Sequence, residues 1–354
     1  MARGASQRFV FGLEGPELSA GERSFFAANP PLGFILFRRN LSSAFQAASL
    51  IAELHGLASP PPLLFVDQEG GTVDRIGPLL EVSFPSAAHV ASRGTDRVHE
   101  CAYLMGRGAR LLGFDVDFAP VLDLAQPGTG AVVLEGRCFG FHPEDVILSG
   151  MVFLHGLARA GLATCVKHFP GLGRGPVDTH VSLPVIESSD IDLIVTDLHP
   201  FSKLSRRADG VMVAHAAYPG FTGDHVPASL SPIIYDLLRK RLDFKAIAYT
   251  DDLTMGALGG TLADRSAAAA AAGADVLVMA KGIGEYEECV ARVEEVSGLP
   301  ADVSRRIDAL RSRCRDAPRP PFTPGAWRAL AGNVTGFLES LERPNEGKTE
   351  ERFS

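Results

Sequence analysis

Two short segments of this chain place ionisable side chains where chemistry would need them. The run Lys167-His168-Phe169-Pro170-Gly171 ends an apolar stretch, and a Gly- and Pro-rich loop follows with Asp178-Thr179-His180. In extended backbone, residues i and i+2 project to the same side. The Asp178 carboxylate can therefore bond the His180 imidazole, raise its pKa and fix its tautomer. Such a histidine can serve as general acid and then as general base. The alternative is an Asx-type turn with an incidental histidine. Metal ligation is a further option, but no second histidine stands nearby at helical spacing. Lys167 and His168 suit ligand hydrogen bonding, and Lys167 could also form a Schiff base.

Asp251-Asp252 closes another apolar run. Adjacent side chains on a strand face opposite ways, so one carboxylate is expected at a site and the other toward a loop or helix start, where it could cap. Asp67-Gln68-Glu69-Gly70-Gly71 ends a third run with three polar residues, and its glycines allow close ligand approach. Arg75 and Arg137 are candidate anchors for substrate hydroxyl or carboxylate groups.

The elements that must carry these residues are legible. Apolar, β-branched-rich runs recur at Phe9–Leu13, Gly33–Phe37, Leu63–Val66, Phe114–Phe118, Ala163–Val166, Gly210–Ala214, Ala246–Thr250 and Asp275–Met279. Amphipathic or Ala-rich segments lie between them: Ser43–Leu57, Thr95–Leu112, Pro143–Ala160, Ile191–Leu204, Ser231–Arg241 and Leu262–Ala272. Continuous apolar strands alternating with helices predict a parallel sheet covered by helices. The number of units and a barrel size of roughly 250 residues predict an α/β fold, a (β/α)8 TIM-type barrel in one domain. An open doubly wound sheet is the alternative. It would gather polar residues at one switch point, whereas here Glu14, Arg38, Asp67, Asp117, Lys167, His215, Asp251 and Lys281 follow separate strands. Residues 1–317 are expected to form the barrel, 318–342 a Pro-rich connector and terminal helix, and 343–354 a disordered tail.

Composition narrows the function. The 354 residues carry a formal net charge of −8, and 46% are hydrophobic. No basic run suggests nucleic acid, and no apolar run is long enough to span a bilayer. No signal-peptide pattern is seen. Five scattered cysteines without a CxxC pair read as reduced cytosolic thiols.

In order along the chain, several motifs resemble glycoside hydrolase family 3, specifically its β-N-acetylglucosaminidases. They are Val66-Asp67-Gln68-Glu69-Gly70-Gly71, Asp117-Phe118-Ala119-Pro120-Val121-Leu122-Asp123, Arg137-Cys138-Phe139, Lys167-His168-Phe169-Pro170-Gly171, Asp178-Thr179-His180, Ala214-His215 and Thr250-Asp251-Asp252-Leu253-Thr254-Met255. The resemblance spans about Phe9 to Ala280. It implies a retaining, exo-acting enzyme that removes terminal β-linked N-acetylglucosamine from cell-wall muropeptides in the cytoplasm. By position, Asp251 would be the nucleophile, His180 the acid/base and Asp178 its partner. Asp67, Arg75, Arg137, Lys167, His168 and His215 would hold the terminal sugar. No cofactor or metal is implied. The expected partner is a small carbohydrate, with no nucleic acid and no membrane, and the protein is expected to act as a monomer.

Two departures stand out. The family usually reads Pro-Gly-His-Gly-Asp where this chain has Pro170-Gly171-Leu172-Gly173-Arg174, and Val-Gln-Arg-Phe where it has Val73-Asp74-Arg75-Ile76. Phosphorolysis on the same site and a non-catalytic sugar-binding barrel are the competing readings.

Overall fold

The structure is a computed structural model and describes residues 4–343 apart from 127–133, 176–182, 257 and 282. The strands are β1 (Phe9–Gly12), β2 (Gly33–Ile35), β3 (Leu63–Val66), β4 (Val116–Asp117), β5 (Ala163–Phe169), β6 (Gly210–Val213), β7 (Ile247–Asp252) and β8 (Val276–Met279). Each pairs in parallel with its sequence neighbours, and β1 pairs with β8, so the barrel closes. The expected α/β (β/α)8 barrel is the observed fold.

Closure divides the apolar residues into two layers. Side chains of one parity point inward, among them Val10, Ile35, Phe65, Val116, Phe118, Cys165, Met212, Tyr249 and Val278. The other parity, including Phe9, Phe11, Phe34, Leu64, Val66, Val211 and Leu277, packs under the helices. Inside, the rings of Phe65, Phe118 and Tyr249 meet at centroid distances of 5.1 to 6.1 Å. Gly210 makes this possible, because a Cβ there would stand 2.3 Å from the Tyr249 ring. The helix Ala301–Asp316 belongs to the same inner cluster through Val303, Ile307, Leu310 and Cys314. That spacing is one apolar stripe of a helix, and it closes the barrel floor.

Local signals set the helix ends. Ser19 accepts from the Glu22 N–H while the Glu22 carboxylate accepts from the Ser19 N–H, a reciprocal cap. Thr261 caps Leu262–Ala272 through the Asp264 N–H. Such caps contribute about 1 kcal/mol each. The helix Thr95–Leu112 ends at Gly113, whose φ of +109° suits glycine.

Several boundaries differ from expectation. The stretch Ile191–Leu204 is two helices, Asp190–Val195 and Leu198–Leu204. Pro200 lacks an N–H and its ring would clash with the carbonyl of Thr196 in a continuous helix. The segment Ser231–Arg241 begins as the α-helix Pro232–Asp236 and widens into a π-type turn over Leu237–Arg241. β5 runs on through Phe169 and β7 through Asp252, so the polar residues expected beyond these strands lie within them, near their ends. β4 is short because the Asp115 carboxylate, not a backbone carbonyl, takes the Leu64 N–H.

The helix Pro324–Glu342 lies on Thr95–Leu112 and buries Leu330, Val334, Phe337 and Leu341, with Trp327 Nε1 donating to the Leu79 carbonyl. Residues 344–354, where a disordered tail was expected, fall outside the described residues. All five cysteines are free and buried. Among the described residues no helix is long and apolar enough to cross a membrane.

Candidate active site

The C-terminal ends of the strands surround a cavity of about 190 Å³. Its floor is the top layer of the barrel interior: Ile35, Phe118, Met212 and Val278. Its walls carry Asp67, Glu69, Arg75, Arg137, Lys167, His168, Asp251 and Asp252. Drug-sized ligands occupy sites of roughly 300–1,000 Å³, so this one suits a single small ring. A larger cleft of about 820 Å³, lined by residues such as Leu134, Phe139 and Leu148, has none of this charged network.

Lys167 stands at the centre. Its Nζ lies 2.6 Å from Asp67 Oδ1 and 2.6 Å from Glu69 Oε1. Arg137 donates through Nε to Glu69 Oε2 at 2.7 Å and through Nη2 to Oε1 at 2.9 Å. Two cations and two carboxylates balance. Burial would raise the Glu69 pKa, but Lys167 and Arg137 hold it well below the usual carboxylate range. Burial likewise opposes the Lys167 charge, yet Asp67 and Glu69 drive its pKa upward. A lysine kept protonated has no free electron pair, so the Schiff-base chemistry open to it by sequence is unfavourable here.

His168 is oriented by Asp123. The carboxylate accepts from the His168 backbone N–H, sits 2.6 Å from the ring Nδ1, and accepts from the Leu172 N–H at 2.7 Å. One buried carboxylate thus ties the end of β5 to the loop beyond it. Leu172, in place of the family's histidine, is buried and lines the cavity. Arg174 instead bonds Asp197 at 2.7 Å, at the start of the helix Leu198–Leu204.

The loop after β3 presents Arg75. Gln68 Oε1 accepts from the Arg75 and Ile76 N–H groups, and its Nε2 donates to Asp74. Asp74 also accepts from the Gly77 and Phe84 N–H groups. The aspartate that departs from the family pattern is therefore a loop organiser. Arg75 lines the cavity, and its buried Nε has no protein partner. Beneath the loop, Asp117 accepts from the Gln68 N–H, its Oδ2 is unpartnered, and burial pushes its pKa well up. Burial thus disfavours a charge on that side chain.

Asp251 and Asp252 both reach the cavity, because the β7–β8 register shifts between Tyr249 and Asp252. Their environments separate them. Burial raises the Asp252 pKa despite bonds from the Ala280 and Thr254 N–H groups and the Thr254 hydroxyl. Burial acts on Asp251 in the same direction, but His215, His168, the Asp252 N–H and Lys167 outweigh it and lower its pKa. Of the two, Asp251 is the one whose charged form its surroundings favour. A pair split in this way is a common sign of catalytic division of labour.

His215 was expected among the sugar-holding residues. It is fully buried behind the strand ends and does not line the cavity, and both ring nitrogens meet protein atoms. Asp178 and His180 lie outside the described residues. Sequence reasoning gave no site role to Glu69, Asp123 or Asp117, and read one of Asp251 and Asp252 as turned to a loop or a helix cap, whereas both line the cavity. The signal for Glu69 was present, since it lies two residues from Asp67 and so on the same side of an extended segment.

The model of the glycosyl hydrolase family 3 N-terminal domain matches residues 19–308. The chain belongs to this family, and it is a glycoside hydrolase. A β-hexosaminidase of Methylococcus capsulatus is 34% identical over 94% of this chain and 100% of its own length. Among solved structures, a family 3 β-N-acetylglucosaminidase from a Paenibacillus strain superposes with a TM-score of 0.83 at 28% identity, covering 94% of this chain and 68% of that one. NagZ from Neisseria gonorrhoeae, in complex with N-trifluoroacetyl-D-glucosamine, superposes with a TM-score of 0.78 at 26% identity, covering 93% and 97%. In this family 3 chain the motifs that carried the resemblance, apart from Asp178-Thr179-His180 and Ala214-His215, contribute residues to the cavity wall or to the groups that brace it.

Proposed function

We propose that the protein is a retaining, exo-acting β-N-acetylglucosaminidase. The observation that carries this reading is the half-buried Asp251 carboxylate, its pKa lowered by its neighbours, at the wall of a small cavity that also holds Asp67, Arg75, Arg137, Lys167 and His168. The relatives named above, β-hexosaminidases and β-N-acetylglucosaminidases, support the choice of sugar.

In the first step the Asp251 carboxylate attacks the anomeric carbon, while the departing oxygen takes a proton from His180. In the second step His180, now neutral, takes a proton from water. The water oxygen bonds to the anomeric carbon, and the ester to Asp251 breaks. Asp178 would hold the imidazole in the required tautomer. Lys167, kept charged by Asp67 and Glu69, would donate to sugar hydroxyls, as would Arg75 and His168. Arg137 would brace Glu69 at the edge of the ring site. An acid/base of this kind contributes roughly 10²- to 10⁴-fold. The finer parts of the reading rest on the sequence resemblance: muropeptide fragments as substrate, a cytoplasmic location and a monomeric enzyme.

The test is release of nitrophenol from 4-nitrophenyl N-acetyl-β-glucosaminide, with and without phosphate, for the wild type and Asp251→Ala. The expected result is turnover in plain buffer that the variant loses. Turnover only with phosphate would replace hydrolysis by phosphorolysis, and full activity in Asp251→Ala would remove Asp251 from its role.

A further inference from the structure

The buried imidazole of His215 has a place that the sugar site does not explain. It follows β6, at 0% exposure, and links two elements. Its Nε2 lies 3.0 Å from the backbone carbonyl of Asp252, and its Nδ1 lies 2.7 Å from the Ser229 hydroxyl. A carbonyl only accepts, so Nε2 carries the hydrogen. In the neutral ring Nδ1 then accepts from Ser229 Oγ–H. Ser229 is itself fixed, since its N–H donates to the Ala214 carbonyl and its carbonyl accepts from the Tyr235 hydroxyl. Burial lowers the His215 pKa, in keeping with the neutral form.

Asp252 is consequently held on three sides. Its carbonyl is held by His215, and its carboxylate by the Thr254 N–H and hydroxyl and by the Ala280 N–H at 2.9 Å. Its own N–H donates to Asp251 Oδ1 at 2.8 Å. One oxygen of Asp251 is thus occupied by a donor whose position is set from outside the cavity.

We propose that Ser229, His215 and Asp252 form a bracket that orients the Asp251 carboxylate, holding Oδ1 on the Asp252 N–H and leaving Oδ2 as the oxygen that bonds to the anomeric carbon. Ser229 and His215 are positioning residues in this scheme, which rests on Asp251 being the nucleophile. An oriented carboxylate gains because a small misplacement of reacting atoms is costly in rate. The bond from the Asp252 N–H also favours the ionised form of Asp251. The other ionisable groups bearing on this pair are His168 and Lys167 from β5, facing Asp251, and Arg265 from Leu262–Ala272, facing His215.

The experiment is the pH dependence of kcat and kcat/KM on 4-nitrophenyl N-acetyl-β-glucosaminide for the wild type, Ser229→Ala and Ser229→Cys, with a thermal melt of each. In Ser229→Ala, kcat and kcat/KM are expected to fall together by roughly tenfold with KM unchanged, the pattern of an interaction made only in the transition state. The acidic limb of kcat/KM should move up by about one pH unit, since a loosened Asp252 N–H favours the carboxylate less. Ser229→Cys, with a weak S–H donor, should fall between. A lowered Tm with the limb and kcat of the wild type would reduce Ser229 and His215 to structural supports and overturn the bracket. If Ser229→Ala does not fold, the limb of Ser229→Cys against wild type decides in the same way. A wild type without turnover defeats the glycosidase reading itself, whereas an active wild type matched by its Ser229 variants defeats only the bracket.

Discussion

Arg137 and Glu69 meet in a fork, with Nε–Oε2 at 2.7 Å and Nη2–Oε1 at 2.9 Å, and the same carboxylate also takes the Lys167 ammonium. Glu69 is 5% exposed and its two cationic partners are mostly buried. It is therefore the counter-charge on which both depend.

Glu69→Gln keeps the shape and removes the charge. Lys167 and Arg137 would then lose the carboxylate they share. Breaking a buried ion pair from one side costs about 3–5 kcal/mol. The expected outcome is a loss of that order in urea unfolding, together with a clear fall in kcat/KM. A variant as stable as the wild type would show that solvent or neighbouring groups compensate for the lost carboxylate.

Stability should depend on pH in two stages. Burial lowers the pKa values of His215 and His55 below 6.5 in the folded protein. As pH falls through the range just below 6.5, the unfolded chain takes up protons that the folded protein does not, so folding is weakened. This contribution is complete above pH 6.5. Glu69 acts lower down: its folded pKa lies below its ordinary 4.5, so its stabilisation is present above that value and is lost as pH falls through the range beneath it. Asp117 and Asp252, whose folded pKa values are raised, act in the opposite sense, so each contribution is read against a variant. The loss of unfolding free energy between pH 7.5 and 5.5 should be smaller in His55→Gln than in the wild type, and the loss toward pH 3.5 smaller in Glu69→Gln. Equal slopes in His55→Gln and wild type would contradict a neutral, buried His55.

The acid/base assignment of His180 has a kinetic signature. An aryl leaving group as good as nitrophenolate needs little protonation, while a sugar alcohol needs much. His180→Ala should therefore lower kcat/KM far more for N,N′-diacetylchitobiose than for the nitrophenyl glycoside, by up to roughly 10²- to 10⁴-fold. Equal losses on both substrates would argue that His180 does not donate the proton.

The sequence by itself determined the architecture. Eight apolar runs, each buried on both faces, have no stable arrangement except a parallel sheet under helices, and the polar residue at the end of most of them marks the face of the site. The helices Thr95–Leu112, Pro143–Ala160 and Leu262–Ala272 were legible to the residue, because glycines or apolar periodicity mark their ends. The single helix expected over Ile191–Leu204 was not, because the break at Thr196 depends on how Pro200 meets the preceding turn.

Only the tertiary structure decided how the charges combine. Arg137 reaches Glu69 across 68 positions, and Asp123 reaches His168 across 45. Those encounters exist because the barrel closes and brings distant strand ends to one rim. Asp251 and Asp252 are identical in the sequence. They part in the structure because the Asp252 side chain is held by the Thr254 and Ala280 N–H groups, while Asp251 accepts the Asp252 N–H and faces His168 and Lys167. The position of His215 follows the same rule. A histidine at a strand end suggests a ligand contact, but whether its ring turns into the cavity or behind it depends on which neighbours closure supplies, and here those are Ser229 and the Asp252 carbonyl.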